Sequence, residues 1–409
     1  MNFRTSRNRL LPKLGLLSAS VLIALLFIEL ALRIIGYSFP QFYTADLSRG
    51  YALRAGMQGW YRKEGKAYVT INSQGLRDLE HSITKPPNTI RIAVLGDSYA
   101  EALQVPLENA FWFVMASRLN EQLASTGKHI EVINFGVSGY GTAQELITLR
   151  EHVWQYEPDI VLLAFTTNND VSDNSRELKK TSEVPYFVNS GGQLVLDNSF
   201  RSTRNFSMRV STLGRIGVWF YDHFRFVQAF AEGSRSVKIL FPKLRKLISG
   251  SEPTHRDFQD KDVEAELGID NFVYQEPGNQ VWREAWTITE ELLNVINQEV
   301  RAHGAQFVVV TLSNAAQVLP KATSRAVFMQ SFGITDLFYP DHRIKSVGER
   351  NLFPVINLAP PLQTYAEKNG VYLHGFENSP AVGHWNSIGH RVAGEMLAEQ
   401  LEPQVAHLK

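Results

Sequence analysis

Short, nearly unbroken aliphatic runs recur along this chain and leave few folds open to it. Ile90 to Leu95 is the first, interrupted only by Arg91 and ending at Gly96. Ile130 to Phe135, Asp159 to Phe165, Gln306 to Leu312 and Val371 to His374 are of the same kind. Runs without clean alternation fit strands buried on both faces of a parallel sheet. Between them, Asn109 to Leu123, Thr142 to Tyr156, Thr287 to Arg301 and Gly389 to Leu401 carry apolar residues at helical spacing. Strand–helix alternation of this sort predicts an α/β fold, a three-layer α/β/α sandwich on a five-stranded parallel sheet.

One long interval breaks the rhythm. Between Asp173 and Trp286 no parallel strand is expected, and residues 173–285 read as a cap inserted at the carboxyl edge of the sheet. Within it, Tyr186-Phe187-Val188 and Gln193-Leu194-Val195-Leu196 flank Gly191-Gly192 and predict a hairpin. Residues 201–249 are helical in pattern and basic, with Arg201, Arg204, Arg209, Arg215, Arg225, Arg235, Lys238, Lys243, Arg245 and Lys246 against Asp222 and Glu232. We expect Trp219, Phe220 and Phe224 to be buried in a helical lid with solvated arginines; contact with lipid headgroups or an anionic glycan is the alternative. Residues 250–280 turn polar and acidic and read as a loop.

The N-terminus carries a second constraint. Arg4, Arg7, Arg9 and Lys13 precede an apolar stretch from Leu14 to about Tyr37, broken by charge at Glu29 and Arg33. A helix crosses a bilayer with roughly 20 mostly apolar residues, and no small-residue cleavage site follows the run, as a signal peptide would require. The expectation is a single-pass anchor with a cytoplasmic N-terminus and the body of the protein periplasmic or extracellular; a cleaved signal is the alternative. Glu29 and Arg33, one turn apart, pair near the far interface. The expected division is 1–37 for tip and anchor, 38–87 for a linker and an edge hairpin around Ala67 to Asn72, and 88–409 for the main domain. The 41 basic and 41 acidic residues balance, which argues against a nucleic-acid partner. With no cysteine, disulfides, thiolate metal sites and cysteine nucleophiles are excluded.

Four segments carry candidate chemistry. Gly96-Asp97-Ser98 follows the first run, and a serine at such a strand end is exposed at the ligand edge of an α/β sheet. Gly136 to Gly141 follows the second, where glycine amides can face a developing negative charge. Thr167-Asn168-Asn169-Asp170 follows the third. Gly383-His384-Trp385-Asn386 lies in the loop that opens the last helix, from which His384 can reach back to Ser98. His374 is a weaker alternative base, and His390, inside the helix, is structural. No P-loop, dinucleotide fingerprint or spaced His/carboxylate cluster is present, so no metal or organic cofactor is implied.

In that order, Gly96-Asp97-Ser98, Gly139, Asn169 and His384 resemble the four blocks of the SGNH hydrolases, the GDSL-type esterases and lipases, over about residues 88–402. The resemblance implies a flavodoxin-like sandwich and a serine-dependent ester hydrolase. Ser98 is then the nucleophile, His384 its base, and the amides of Ser98 and Gly139 with the Asn169 side chain the oxyanion hole. The N-terminal anchor, Asn72 to Asp78 and the His374-to-Asn386 ending look like a bacterial membrane-anchored branch acting on exported polysaccharides. That leaves two further readings: an O-acyltransferase working beside an integral-membrane acyl donor protein, and a non-catalytic anchored binding or assembly subunit. One departure stands out. The family places an Asp two or three residues before its histidine, and here Ala381 and Val382 stand there. Glu377 is the nearest carboxylate to hold the imidazole; a backbone carbonyl is the other option.

Overall fold

The computed structural model describes residues 7–234, 237, 271–377 and 379–408. They fall into two units, Met1–Gln41 with Met208–Arg256, and Phe42–Ser207 with Asp257–Lys409.

In the larger unit, β1 (Thr89–Gly96), β2 (His129–Asn134), β3 (Ile160–Thr166), β4 (Gln306–Leu312) and β5 (Val355–Asn357) form one parallel sheet in the order β2-β1-β3-β4-β5. Each strand is apolar on both faces because both are covered. Ile92, Val94, Leu162, Val308 and Val310 pack with residues of the helices Phe111–Gln122, Ala359–Asn369 and Ser387–Ala406. Their neighbours Ala93, Leu95, Val161, Leu163 and Val309 join a second core with Thr142–Thr148, Gln280–Ala302 and Tyr339–Asn351. Successive side chains of a strand thus feed opposite layers, giving the expected α/β/α sandwich. The order is the flavodoxin-like one, with its switch point between the carboxyl ends of β1 and β3.

Two expectations need correction. The fifth strand is Val355–Asn357, and the run Val371 to His374 lies outside the sheet; His374–Phe376 instead pairs antiparallel with Ser379–Trp385. Leu373 and His374 are buried, so the run's burial comes from side-chain packing, and three residues of edge strand carry too little pattern to be seen. The linker expected in the first part of 38–87 also carries structure, since Tyr43–Asp46 pairs with Gly50–Leu53. The two hairpins form as expected, Gln58–Tyr61 with Ala67–Thr70 and Tyr186–Ser190 with Gln193–Asp197. Phe187 of the latter is buried in the second core together with Val273, Tyr274 and Trp282.

The smaller unit begins with the helix Arg7–Ile34, whose residues Pro12–Ile34 are long and apolar enough to cross a membrane and, apart from the buried Glu29, are exposed or partly exposed. Glu29 and Arg33 pair at 2.7 Å. The helix Thr212–His223 and a helical stretch over 225–234 follow from the insertion. Contrary to expectation, Trp219 and Phe220 are exposed and only Phe224 is partly buried, because this helix packs through its other face. Arg235, Lys238, Lys243, Arg245, Lys246 and most of 250–280 lie outside the described residues.

Arg91, the one charge in the first aliphatic run, is fully buried. Its guanidinium donates to Glu131 on β2 at 2.6 Å and to the carbonyls of Ile83, Tyr156 and Ser82 at 2.8, 2.8 and 2.5 Å. A buried charge persists only when its donors are satisfied in this way. Arg91→Ala, which strands these acceptors, should cost about 3 kcal/mol or more of stability, read by chemical denaturation; a loss under about 1 kcal/mol would show that water replaces the guanidinium.

Candidate active site

Ser98 stands where β1 ends. Gly96 makes the turn possible: a Cβ there would lie 2.9 Å from Ala100 Cβ and 3.1 Å from the Ala164 carbonyl. Asp97, fully buried, caps the short helix Ser98–Glu101 by accepting from the Tyr99 amide at 3.0 Å. Its carboxylate also accepts from Thr166 Oγ1 and from Asn169 Nδ2, both at 3.0 Å, and so ties the first block to the third across the switch point.

The second block is fixed from several sides. Asn134, at the end of β2, donates to the Ala100 carbonyl at 3.0 Å and accepts from the Gly136 amide at 3.0 Å. Tyr51 OH donates to the Ser138 carbonyl at 2.8 Å, and Lys179 Nζ donates to the Gly139 carbonyl at 2.5 Å. Gly139 has φ +74°, and a Cβ would meet Tyr51 OH at 2.8 Å, so glycine is required there. Ser138 Oγ and Tyr43 OH both donate to Glu101, three residues beyond Ser98. Burial raises the Glu101 carboxyl to about 7 against the pull of those hydrogen bonds.

His384 does not sit in a loop. It lies in the strand Ser379–Trp385, directly before Asn386, whose side chain caps the last helix through the amides of Ile388 and Gly389. Nε2 of His384 lies 2.7 Å from Ser98 Oγ, and Nδ1 lies 2.5 Å from Glu64 Oε2. The other Glu64 oxygen accepts the His384 backbone N–H at 2.8 Å. Glu377 is therefore not the orienting carboxylate, since both ring nitrogens are already engaged. Glu64 belongs to the turn of the Gln58–Tyr61/Ala67–Thr70 hairpin, in a segment read from sequence as peripheral. Its only trace in the sequence is the missing acid at Ala381 and Val382, which says that a partner must come from elsewhere without saying where. Gly383 makes room for it: at φ +81°, a Cβ would fall 2.1 Å from Glu64 Oε1.

Electrostatics follow from this placement. Burial disfavours the His384 imidazolium, yet the hydrogen bond and charge of Glu64, with Asp97 and Glu101 behind it, raise its pKa overall. Burial pushes Glu64 up too, but its bonds to His384 win and hold it below the usual carboxylate range. His374 is no base: it is buried, its Nδ1 meets the Gly383 carbonyl at 2.7 Å, and burial lowers it to about 4. His390 is buried and stacked on Phe111, as expected of a structural residue. Near Asp97, burial first and then repulsion from neighbouring carboxylates push the pKa values of the Glu145 and Asp170 carboxyls well above the usual carboxylate range.

Three substitutions test this arrangement. Gly383→Ala should displace Glu64 and lower the reactivity of Ser98 as far as Glu64→Ala does, with the fold retained by circular dichroism; undiminished reactivity would refute the contact. His384 is useful as a base only when neutral, so reactivity should fall as pH drops through a value above the ordinary 6.5 for histidine. Glu64→Gln removes the charge that raises the value, so its acid limb should move to lower pH.

No family model matches the chain. It is 27% identical over 134 residues to an arylesterase of Vibrio mimicus, a match covering 32% of this chain and 62% of that relative. Solved structures similar to it include an acetyl xylan esterase (TM-score 0.35, 12% identity, 78% of this chain and 100% of that one). A lipase/acylhydrolase from Enterococcus faecalis is similar at TM-score 0.35 and 12% identity, over 77% and 96% of the two chains. An acetylxylan esterase from Geobacillus stearothermophilus is similar at TM-score 0.36 and 11% identity, over 76% and 93%. These likenesses are remote, and the four blocks, the β2-β1-β3-β4-β5 sheet and the meeting of Ser98 with His384 at its edge weigh more. Those features give the chain the parallel α/β sheet order and the Ser98–His384 contact that the SGNH resemblance implies.

Proposed function

We propose that this chain is a serine-dependent enzyme acting on O-acyl esters, with Glu64, His384 and Ser98 as its catalytic relay. The observation that carries the reading is the unbroken run of short contacts from Glu64 Oε2 through the imidazole to Ser98 Oγ. A carboxylate on Nδ1 selects the tautomer whose bare Nε2 accepts a proton from the hydroxyl. Ser98 Oγ attacks the ester carbonyl carbon while its proton passes to His384 Nε2. The carbonyl oxygen takes the negative charge, facing the amides of Ser98 and Gly139 and the second N–H of the Asn169 side chain. The bond to the alkoxy oxygen then breaks, His384 protonates the leaving alcohol, and the acyl group stays on Ser98. An incoming hydroxyl reverses these steps and regenerates the serine. Loss of one oxyanion donor typically lowers the rate about 100- to 1000-fold.

The incoming hydroxyl decides between hydrolysis and transfer. Water makes the protein an esterase for short acyl groups on carbohydrate or lipid. A sugar hydroxyl makes it an O-acyltransferase for an exported polysaccharide, with an integral-membrane protein as acyl donor. The polarised Ser98 supports either over a non-catalytic binding subunit. We further propose that the helix Pro12–Ile34 anchors the chain, with the basic N-terminal flank cytoplasmic and the larger unit outside the membrane.

A fluorophosphonate, which phosphonylates an activated serine, provides the test. Wild-type protein should label, while Ser98→Ala and His384→Ala should not. Glu64→Gln should label more slowly by a factor approaching ten-thousand, the loss seen when the equivalent acid of a serine protease is spoiled. Folded wild-type protein that never labels would overturn the catalytic reading. Consumption of an acyl ester only when a sugar acceptor is present would select the transferase.

A further inference from the structure

The insertion presents an apolar face that its own unit leaves uncovered. Along Thr212–His223, Leu213, Ile216 and Phe220 recur at three- and four-residue spacing and are 78%, 47% and 45% exposed. Trp219 flanks them at 50%, and Phe230 of the next helical stretch is 80% exposed. The helix packs inward instead through Gly214, Val218 and Tyr221. An amphipathic helix in water turns its apolar face to the core; here that face is the outward one.

What covers it is indicated by the end of the N-terminal helix. Arg33 Nη2 donates to the carbonyl of His223, the last residue of this helix, at 2.7 Å. Glu29 Oε2 accepts from the amide of Phe226, in the first turn of the stretch that follows, at 3.1 Å. A cation thus meets a helix C-terminus and an anion a helix N-terminus, the favourable sense for both dipoles. The joint continues beyond the span, with Arg225 donating to Ser38 Oγ at 2.9 Å and the Phe39 amide to the buried Gln228 at 2.9 Å. From Pro12 to Glu29 the helix climbs about 26 Å at 1.5 Å per residue, close to the roughly 30 Å of a bilayer's hydrocarbon. Glu29 and Arg33 therefore mark the far boundary of that hydrocarbon, and the helix whose last residue Arg33 holds ends at the same depth. Exposed Arg209 and Arg215 beside the apolar row suit anionic headgroups.

We infer that Thr212–His223 is an in-plane interfacial helix, its Leu213–Ile216–Phe220 face sunk into the outer leaflet and its C-terminal end clamped to the membrane span by Glu29 and Arg33. The inference rests on the anchor reading of the N-terminal helix. Trp219 takes the position typical of interfacial aromatics.

The cysteine-free chain makes the test direct. Full-length Leu213→Cys, Ile216→Cys and Phe220→Cys variants carry a bimane label in vesicles of phosphatidylcholine and phosphatidylglycerol, beside exposed Lys345→Cys in the larger unit and Leu22→Cys in the span. Lipids bearing a quencher near the headgroup should dim the first three labels, iodide should not, and Lys345→Cys should show the opposite. Lipids quenched deep in the acyl chain should dim Leu22→Cys. Labels at 213, 216 and 220 open to iodide, or shielded from iodide and lipid quencher alike, would overturn the inference, the latter by showing a protein cover. An unquenched Leu22 label would instead remove the anchor reading and the inference with it.

Discussion

Both oxygens of the Glu64 carboxylate are taken by His384, one by its backbone amide and the other by Nδ1 of its ring. That doubled contact fixes the imidazole in position and in tautomer, and everything the serine can do follows from it. It also gives the N-terminal hairpin a purpose. Where the SGNH resemblance leads one to expect an acid just before the histidine, this chain has Ala381 and Val382, and the charge arrives from a turn 320 residues away in sequence. The exchange has a structural condition, the bare backbone at Gly383, because any side chain would occupy the space of the carboxylate.

Around this pair the sheet edge is held by buried polar groups rather than by apolar packing alone. Asp97 gathers donors from its own cap, from β3 and from Asn169. Asn134 and Glu101 do the same between the first and second blocks. Each is out of water, so each lost partner would leave an uncompensated group. The loops that would face the oxygen in the proposed reaction therefore have little freedom to relax, which is the condition under which fixed dipoles stabilise developing charge most effectively.

The smaller unit follows a different physical logic. Its N-terminal helix and the insertion are joined by charged and polar bonds at one end, while both leave apolar faces open. Among the described residues of this unit no buried apolar cluster closes over those faces. Its order is local, set by helix ends and the side chains that satisfy them.

The sheet, its layers and the four blocks were legible in the chain because strands buried on both faces must be apolar throughout, and because chemistry sits where such strands end. The pairing of Ser98 with His384 was legible for the same reason. The exposure of Trp219 and Phe220 was not, since aromatic spacing reports an apolar helix face but not which side of the helix meets the core. The fifth strand escaped notice because Val355–Asn357 is short and lies at an edge. Glu64 could not be found at all from its neighbours: a carboxylate in a glycine turn between two lysines looks like any solvated loop residue. Local composition determines periodicity and turns, whereas the meeting of groups far apart in the chain depends on how the hairpins close on the sheet, and only the tertiary structure decides that.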